Sequence, residues 1–208
     1  MSGRTRRATA APRAPRAPAQ APGEVRIIGG QWKRRRLPVP DRPGLRPTPD
    51  RVRETLFNWL GQDLTGWHCL DAFAGTGALG LEAASRGAAP VLLVEQDAGL
   101  AAALVRTAER LGAAQVRVQR GDGLAALRTA VPGSLHLVLL DPPFGQEACF
   151  EPALQAAARA LAPDGFAYLE APRRWSEDAL AALGLAVHRH LKAGAVHAHL
   201  LRPAGRAA

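Results

Sequence analysis

The 208 residues are enough for one sizeable hydrophobic core, and a composition of 47% hydrophobic and 22% charged residues is typical of a globular domain. No apolar run is long enough to span a bilayer, and the basic N-terminus leads into no apolar segment, so we expect a cytoplasmic protein rather than a membrane or secreted one. Two cysteines without CxxC or Cys/His spacing exclude a disulfide framework and predict no metal site.

Positive charge is concentrated in the N-terminal quarter. Residues 1–53 contain 14 of the 27 basic and 3 of the 18 acidic residues, a net charge of +11, whereas the rest of the chain has a net charge of −2. Such a division indicates a catalytic domain that binds a polyanion. Residues 1–23 alternate Ala, Pro and Arg without apolar periodicity, which predicts a disordered tail; for that tail alone, a solubilising role is favoured over recognition.

Order is predicted to begin at residue 24. Two β-like runs, residues 25–30 and 32–39, flank Gly29-Gly30-Gln31 and predict a hairpin whose second strand carries a run of four basic residues. A helix follows, with Thr48 as its N-cap and Pro49 as its first residue. Arg51 and Arg53 are expected to project from the side opposite its apolar face.

From residue 67 onward, strand and helix patterns alternate. The predicted strands cover residues 67–72, 91–95, 115–119, 135–141, 165–170, 185–191 and 195–201. The predicted helices cover residues 79–86, 98–111, 123–129, 150–161 and 176–183. This alternation predicts an α/β fold: a doubly wound, mostly parallel seven-stranded sheet with an N-terminal β-hairpin extension. The connection at 192–194 is too short for a crossover, so the last strand should be antiparallel.

The carboxyl ends of these strands carry acidic residues, and ligands bind there in a doubly wound sheet. Asp71 ends the first strand and leads into a glycine loop. Glu95 ends the second strand, where a carboxylate can accept both ribose hydroxyls of an adenosine. Asp122 follows the third strand, where it can accept from an adenine amino group. Asp141 ends the fourth.

The glycine loop fits two cofactors. Residues 75–80 match the G-x-G-x-x-G fingerprint of NAD enzymes, with Glu95 at the expected distance. Asp71, however, precedes the loop, where it would oppose a pyrophosphate but suits the ammonium of a methionine moiety. S-adenosylmethionine has that ammonium and NAD lacks it, so the former is favoured.

The tetrapeptide Asp141-Pro142-Pro143-Phe144 follows the fourth strand. The prolines fix the backbone and remove two donors. Asp141 and a proline carbonyl can then accept both hydrogens of an –NH2 group while Phe144 stacks on the base that carries it. The structural alternative is a simple turn that starts a helix. We favour the chemical interpretation, in which positioning and desolvation provide most of the catalysis.

At this point the sequence resembles known families. Residues 71–77 and 141–144 are similar to the cofactor loop and the amino-methylating motif of class I methyltransferases. Residues 26–32, 45–48 and 50–60 resemble the bacterial 16S ribosomal RNA guanine-N2 methyltransferase family, and the likeness covers residues 24–203. It implies one methyltransferase domain, with an RNA-binding extension at 24–47, a catalytic core at 48–203 and a short tail at 204–208.

The resemblance also implies roles for individual residues. The cofactor, S-adenosylmethionine, would be held by Asp71, Phe73, Gly75, Gly77, Glu95, Asp122 and Gly123. The catalytic residues would be Asp141, Pro142, Pro143 and Phe144. The RNA would be bound by Arg26, Lys33, Arg34, Arg35, Arg36, Arg46, Arg51 and Arg53. The implied substrate is the N2 amine of a guanine, at position 966 of 16S rRNA, in the small ribosomal subunit or an assembly intermediate, and a monomer is expected.

Other interpretations remain open from the residues themselves. The tetrapeptide also serves methylation of DNA adenine or cytosine and of protein amides. A non-catalytic RNA-binding assembly factor on the same scaffold is a further alternative, and an NAD dehydrogenase is the last. Four histidines alternate on the last two strands, but without a carboxylate or cysteine at matching spacing they predict no metal site.

Overall fold

Seven strands form the central sheet, with helices on both faces, in a computed structural model that describes residues 23–42, 45, 47–143 and 145–205. Nearly all of the predicted basic tail and the end of the predicted C-terminal tail lie outside the described residues. None of the helices in those ranges has the length and apolar character that crossing a membrane requires.

The α/β, doubly wound fold is confirmed. The strands are β1 (Glu24–Arg26), β2 (Arg36–Pro38), β3 (Cys69–Asp71), β4 (Val91–Glu95), β5 (Val116–Arg120), β6 (Leu135–Leu140), β7 (Leu161–Ala171), β8 (Leu185–Ala193) and β9 (Val196–Pro203). The helices are α1 (Asp50–Leu60), α2 (Ala78–Ser85), α3 (Ala98–Leu111), α4 (Gly123–Thr129), α5 (Phe150–Ala160) and α6 (Glu177–Ala182). The sheet order is β5-β4-β3-β6-β7-β9-β8, with only β9 antiparallel to its neighbours.

The central strands are apolar because both of their faces are covered, as the parallel part of a doubly wound sheet requires. Residues 137–140 of β6 are completely buried. One face of the sheet packs against α2, α3 and the N-terminal region, and the other against α4, α5 and α6. Helix α2 lies very close to the sheet, since a Cβ on Gly80 would overlap the side chain of Leu93.

Most predicted boundaries agree with the structure. Helices α3 and α4 have the predicted bounds, and most other ends agree within two or three residues. Strand β7 begins four residues earlier than predicted, at Leu161, because Pro163-Asp164-Gly165 forms an irregularity inside the strand instead of a turn before it. The register changes there, from Leu135 opposite Leu161 to Leu137 opposite Phe166.

The N-terminal hairpin is shorter than predicted. Strands β1 and β2 pair antiparallel over three residues each, and the predicted turn and most of the basic run lie together in the connection between them. This connection is held both by its own backbone, where Arg34 donates to the Ile27 carbonyl at 2.8 Å, and by α2, where Gln31 donates to the Ser85 carbonyl at 2.7 Å. A Cβ on Gly30, whose φ is +72°, would overlap that carbonyl, so only glycine fits this contact.

The start of α1 also differs from the prediction. Pro49 occupies the N-cap position, and no side chain caps the helix. Thr48 is buried and contributes its carbonyl oxygen, which accepts a hydrogen bond from Nε of Arg53 at 3.1 Å. Thr48 was predicted as the cap from its place before a proline, but its hydroxyl instead lies near Glu170, where it favours the ionised form of that carboxyl.

Candidate active site

A cleft of about 910 Å³ opens at the carboxyl ends of β3, β4, β5 and β6. Crevices of this size hold cofactors in many proteins. Nine of the predicted cofactor-binding and catalytic residues line it: Asp71, Phe73, Gly75, Glu95, Asp122, Gly123, Asp141, Pro142 and Pro143. Phe144 lies outside the described residues.

The loop after β3 forms one wall of the cleft. Gly75 and Gly77 have φ of +52° and +78°, a conformation that favours glycine. The N–H of Gly75 donates to Oε2 of Glu95 at 2.8 Å, which ties the loop to the end of β4. Gly77 does not line the cleft: it occupies the N-cap position of α2, and a Cβ there would overlap Leu81 and Leu104. Its positive φ and its close neighbours shape the turn into α2, and its contact with the cofactor stays a prediction.

Asp71 lies at the floor of the cleft and is 1% exposed. Its Oδ2 accepts a hydrogen bond from the N–H of Gly80 at 3.0 Å, whereas its Oδ1 is buried without a partner among the described residues. Burial raises the pKa of this carboxyl from 3.8 to about 7, and the negative charge of Glu95 adds to the effect. A buried acceptor without a donor is costly, so the site fits a ligand that brings a positive N–H group.

Two further carboxylates are held by backbone donors. Glu95 accepts a second hydrogen bond, from the N–H of Asp97 at 2.8 Å. Asp122 occupies the N-cap position of α4 and accepts from the N–H of Leu124 at 2.9 Å. These bonds fix the orientation of both side chains and leave lone pairs for hydroxyl or amino donors of a ligand.

The segment after β6 brings an acid and two rigid carbonyls to the cleft. Asp141 is partly exposed to the cleft, but protein surrounds its carboxyl group, and this burial raises its pKa well above 3.8; negative charges at Glu170 and Asp71 add to the rise. The carbonyl of Pro143 accepts from the N–H of Gln146 at 3.3 Å. The carbonyl of Pro142 forms no hydrogen bond within the described residues, so it is available as an acceptor.

Sequence reasoning missed several residues of this site. Leu45, Pro47 and Thr48 line the cleft although they precede α1, and the side chain of Leu45 lies against Gly75 of the glycine loop. Arg42 lies at the rim, 3.8 Å from Asp97. Glu170 is buried beside Asp141. The sequence did indicate Glu170 as a candidate, because this residue ends a predicted strand in the same way as Glu95 and Asp141.

The predicted RNA-binding residues fall into three groups. Lys33, Arg34, Arg35 and Arg51 are exposed, with no acidic group within 4 Å among the described residues. Arg26 and Arg36 are exposed but paired, with Asp50 at 3.1 Å and Glu24 at 2.7 Å. Arg46 lies outside the described residues.

The prediction that Arg53 binds RNA is wrong. Its side chain is fully buried, and it donates to Asp50 at 2.6 Å and to the Arg26 carbonyl at 2.8 Å, with Glu82 at 3.4 Å. A guanidinium enclosed in this way cannot contact RNA. It instead links α1, α2 and the N-terminal strand.

The histidines of β8 and β9 form a packed cluster. Nε2 of His190 and Nδ1 of His197 are 3.0 Å apart, and His199 is buried with its Nε2 accepting from the N–H of Trp175 at 3.2 Å. His188 was predicted to share a face with His190, but the register irregularity between Val187 and Arg189 separates them, and His188 packs on Phe166. Across the ranges that the structure covers, no group of three or more His, Cys, Asp or Glu side chains has the geometry to hold a metal ion.

Known proteins resemble this chain in sequence. The profile of the family described as "Conserved hypothetical protein 95" matches residues 25–202. A relative from Escherichia coli named ribosomal RNA small subunit methyltransferase D is 53% identical over 123 residues, 59% of this chain and 61% of the relative. A protein of the same name from Haemophilus influenzae is 46% identical over 127 residues, 60% of this chain and 66% of the relative. Each match thus spans less than two thirds of the curated relative's length.

A solved structure extends the likeness to nearly the whole fold. The structure described as the putative methyltransferase yhhF from Escherichia coli superposes with a TM-score of 0.74 at 37% identity, over 88% of this chain and 99% of that chain. The sheet and the helices on its two faces are therefore those of a class I methyltransferase fold, as the sequence resemblance implied.

Proposed function

The chain belongs to the Conserved hypothetical protein 95 family, and on that premise we propose that it is an S-adenosylmethionine-dependent methyltransferase acting on the N2 amine of a guanine in 16S ribosomal RNA. One observation carries the proposal. Among the described residues, a buried carboxylate oxygen of Asp71 that has no partner shares one cleft with Asp141 and with the carbonyl of Pro142, which accepts no hydrogen bond. The Asp71 oxygen suits the ammonium of the cofactor, and Asp141 and the Pro142 carbonyl suit the two hydrogens of an –NH2 group. The names of the curated relatives support ribosomal RNA as the substrate.

The cleft fits S-adenosylmethionine. Asp71 would bind the ammonium, the glycine loop with Phe73 and Gly75 would approach the methionine part, and Glu95 would accept from the ribose hydroxyls. Asp122 and Gly123 would hold the adenine end. Bound S-adenosylmethionine supplies an electrophilic methyl group on its sulfonium sulfur. Burial of the ammonium against Asp71 favours the ionised carboxylate, which offsets the rise in its pKa.

The other residues act on the target amine. Asp141 and the carbonyl of Pro142 each accept one hydrogen of the –NH2 group, which directs the nitrogen lone pair toward the cofactor. Phe144 stacks on the guanine ring. To reach the cleft, the guanine must leave its stack in the RNA. The side chains contribute mainly by positioning the target amine and by excluding water. At best, these effects lower the activation barrier by about 7–11 kcal/mol.

The N-terminal extension would bind the RNA backbone. We assign this role to Arg26, Lys33, Arg34, Arg35, Arg36, Arg46 and Arg51, and withdraw it from the buried Arg53. The proposed partner is 16S rRNA in the small subunit or an assembly intermediate. The affinity would come largely from phosphates, so it should fall steeply as the salt concentration rises.

A methyl-transfer assay tests the proposal. Purified protein is mixed with tritiated S-adenosylmethionine and either 30S subunits or naked 16S rRNA, and the labelled nucleoside is mapped by mass spectrometry. We expect N2-methylguanosine at one position, guanine 966 by family resemblance, and a loss of about 100-fold or more in Asp141→Ala and Asp141→Asn. Equal labelling by Asp141→Ala would disprove the proposed site.

The alternatives give other results in the same assay. If the label appears in DNA or in protein and not in rRNA, the protein is a methyltransferase that acts on another substrate. Failure of the protein to bind S-adenosylmethionine in a calorimetric titration would favour a non-catalytic RNA-binding factor. Binding of NAD instead would favour a dehydrogenase.

A further inference from the structure

Glu170 lies immediately behind the proposed acceptor of the amine. It is the last residue but one of β7, which pairs parallel with β6, and Leu140 is opposite Leu169 in that pairing. Glu170 comes one residue after Leu169 in β7, and Asp141 comes one residue after Leu140, directly beyond the end of β6, so both follow the last pair of this register. Leu140 and Leu169 pack into the core on the same side of the sheet, which brings the residues after them to the other side, where the negative charge of Glu170 acts on Asp141.

Two hydroxyl groups act on Glu170. The buried phenol of Tyr168 donates to Oε1 of Glu170 at 2.9 Å, and the hydroxyl of Thr48 lies near enough to favour the ionised form of the carboxylate. Glu170 is 8% exposed, and no basic side chain pairs with it among the described residues. Hydroxyl donors favour the ionised form of a carboxylate without cancelling its charge, so they oppose the effect of burial, and the ionised Glu170 acts on its neighbours as a negative group.

Among the described residues, the charged and titratable groups that face Asp141 come from two strands. They are Asp71 of β3 and Glu170 and Tyr168 of β7. All three are buried, and none carries a positive charge. The pKa of Asp141 is raised well above its ordinary value by burial, and the negative charge of Glu170 is the next cause. The pKa of Glu170 is also raised by burial, while its two hydroxyl donors work in the opposite direction.

We propose that Glu170 is a positioning residue that acts through Asp141: its negative charge makes Asp141 a stronger acceptor for the hydrogens of the target amine. The inference rests on the function proposed above. It adds a residue that the sequence motif does not contain, and it gives a reason why a carboxylate without a basic partner among the described residues is buried near the end of β7. Burying such a group without an opposite charge costs stability, which a role in the reaction explains.

The strength of Asp141 as a proton acceptor affects the chemical step. The amine nitrogen uses its lone pair to bond the methyl carbon, and the carbon–sulfur bond breaks with its electron pair left on sulfur. The nitrogen then carries a positive charge and loses one proton. Asp141, as the ionised acceptor of that N–H, takes the proton and later passes it to water. A neighbouring negative charge favours this transfer because it raises the proton affinity of Asp141.

The pH dependence of methyl transfer tests the proposal. Because Asp141 must be ionised to accept, kcat should rise with pH on its acidic limb. Glu170→Gln keeps the shape and the acceptor oxygen but removes the charge. We expect the acidic limb to move to lower pH by about one unit and the plateau of kcat to fall about tenfold. KM for RNA should stay within about twofold. A role in folding alone would leave the pH of the limb unchanged.

A second measurement does not depend on turnover. In protein labelled with ¹³C at the aspartate carboxyl carbons, the Asp141 signal is assigned by its loss in Asp141→Asn and titrated in wild type and in Glu170→Gln. We expect Asp141 to titrate at lower pH in the variant. Titration at the same pH in both proteins would overturn the proposal. If wild-type protein methylates no RNA, the proposed function has failed, and the titration still decides whether the two carboxylates interact.

Control variants cover a failure to fold. Glu170→Asp retains the charge and should keep the acidic limb within a few tenths of a unit of wild type. Tyr168→Phe removes one donor from Glu170, which then binds its own proton more readily and is less negative. The acidic limb of the kcat profile of Tyr168→Phe should therefore move to lower pH, as in Glu170→Gln, but by a smaller amount. Calorimetric binding of S-adenosylmethionine within about twofold of wild type verifies the fold of each variant. A limb that moves to higher pH in Tyr168→Phe would contradict the proposal.

Discussion

The guanidinium of Arg53 lies 3.4 Å from the carboxylate of Glu82, and neither side chain has any exposed surface. Glu82 also pairs with Arg86 at 2.8 Å and accepts the backbone N–H groups of Ile28 and Gly29 at 2.7 and 2.8 Å. One carboxylate thus joins α1, α2 and the N-terminal connection. The exposed basic residues of that connection are presented from a fixed base rather than from a free hairpin.

Glu82→Ala should destabilise the protein by about 3–5 kcal/mol, because it leaves two buried guanidinium groups and two buried N–H donors without their acceptor. Urea unfolding followed by circular dichroism measures the change. Glu109→Ala, which removes an exposed acid from α3, should change the free energy of unfolding by no more than about 0.5 kcal/mol. Equal stabilities of the two variants would mean that Glu82 does not hold the N-terminal region.

Lys33 and Arg35 should contribute to RNA affinity through phosphates. Both are exposed in the connection between β1 and β2, with no acidic partner within 4 Å in the described part of the chain. The double variant Lys33→Ala/Arg35→Ala should bind 16S rRNA more weakly, and the slope of log K against log salt should become shallower by about 1.5, the value for two lost phosphate contacts.

The matched control for this measurement is Arg106→Ala/Arg128→Ala, which removes two exposed charges from α3 and α4. It makes the same change in net charge away from the N-terminal region, so its salt slope should stay near that of wild type. If both double variants weaken binding equally, the affinity comes from overall charge and not from the extension.

The acids of the cleft could be predicted from the sequence, because each follows an apolar run that reads as a buried strand. Asp71, Glu95 and Asp141 come at strand ends, and the topology rule for parallel sheets brings such ends together. The bounds of α3 and α4 were predictable for a similar reason: Asp97 and Asp122 cap them by bonds to residues two or three positions later. Local signals of this kind need no knowledge of distant contacts.

Arg53 and Thr48 could not be predicted in the same way, because their surroundings come from distant segments. Arg53 occupies a helix position that looks exposed, and only the approach of Glu82, 29 residues further along, makes its burial possible. Thr48 precedes a proline at a helix start, a pattern typical of a capping residue, yet its hydroxyl lies near Glu170, a residue distant in the sequence. Contacts between buried polar groups of distant segments produce no periodic pattern in the sequence.

Asp71 should make the stability of the cofactor-free protein depend on pH. Its pKa is about 7 in the folded protein and 3.8 ordinarily, so between these values the native state retains a proton that the unfolded chain loses. The contribution of this group to stability is therefore present below about pH 4 and is lost as the pH rises to 7, by about 4 kcal/mol at 1.36 kcal/mol per pKa unit.

The comparison with Asp71→Asn isolates this group from the other buried acids. At pH 7.5 the variant should be more stable than wild type to urea, and near pH 4 the difference should largely disappear. The same substitution should weaken S-adenosylmethionine binding at least tenfold at pH 7.5, because the ammonium loses its charged partner. A stability difference that does not vary with pH would show that Asp71 titrates normally in the folded protein.

Gly123 and Gly121 both line the cleft, but only Gly123 lacks room for a side chain. A Cβ on Gly123 would overlap the carbonyl oxygen of Ala72 at the end of β3, whereas the nearest atom to a Cβ on Gly121 is Nε2 of Gln119 at 3.7 Å, an ordinary contact. Neither glycine has a positive φ, so the expected difference between them is steric.

Gly123→Ala should push the start of α4, with Asp122, away from β3. We expect a loss of about 1–3 kcal/mol in stability, as for other overpacked sites, and at least tenfold weaker binding of S-adenosylmethionine. Gly121→Ala should bind within about twofold of wild type. Calorimetric titration of both variants checks this. If Gly123→Ala is destabilised but binds normally, the backbone yields at this point without disturbing Asp122, and the adenine end of the cofactor must be held elsewhere in the cleft.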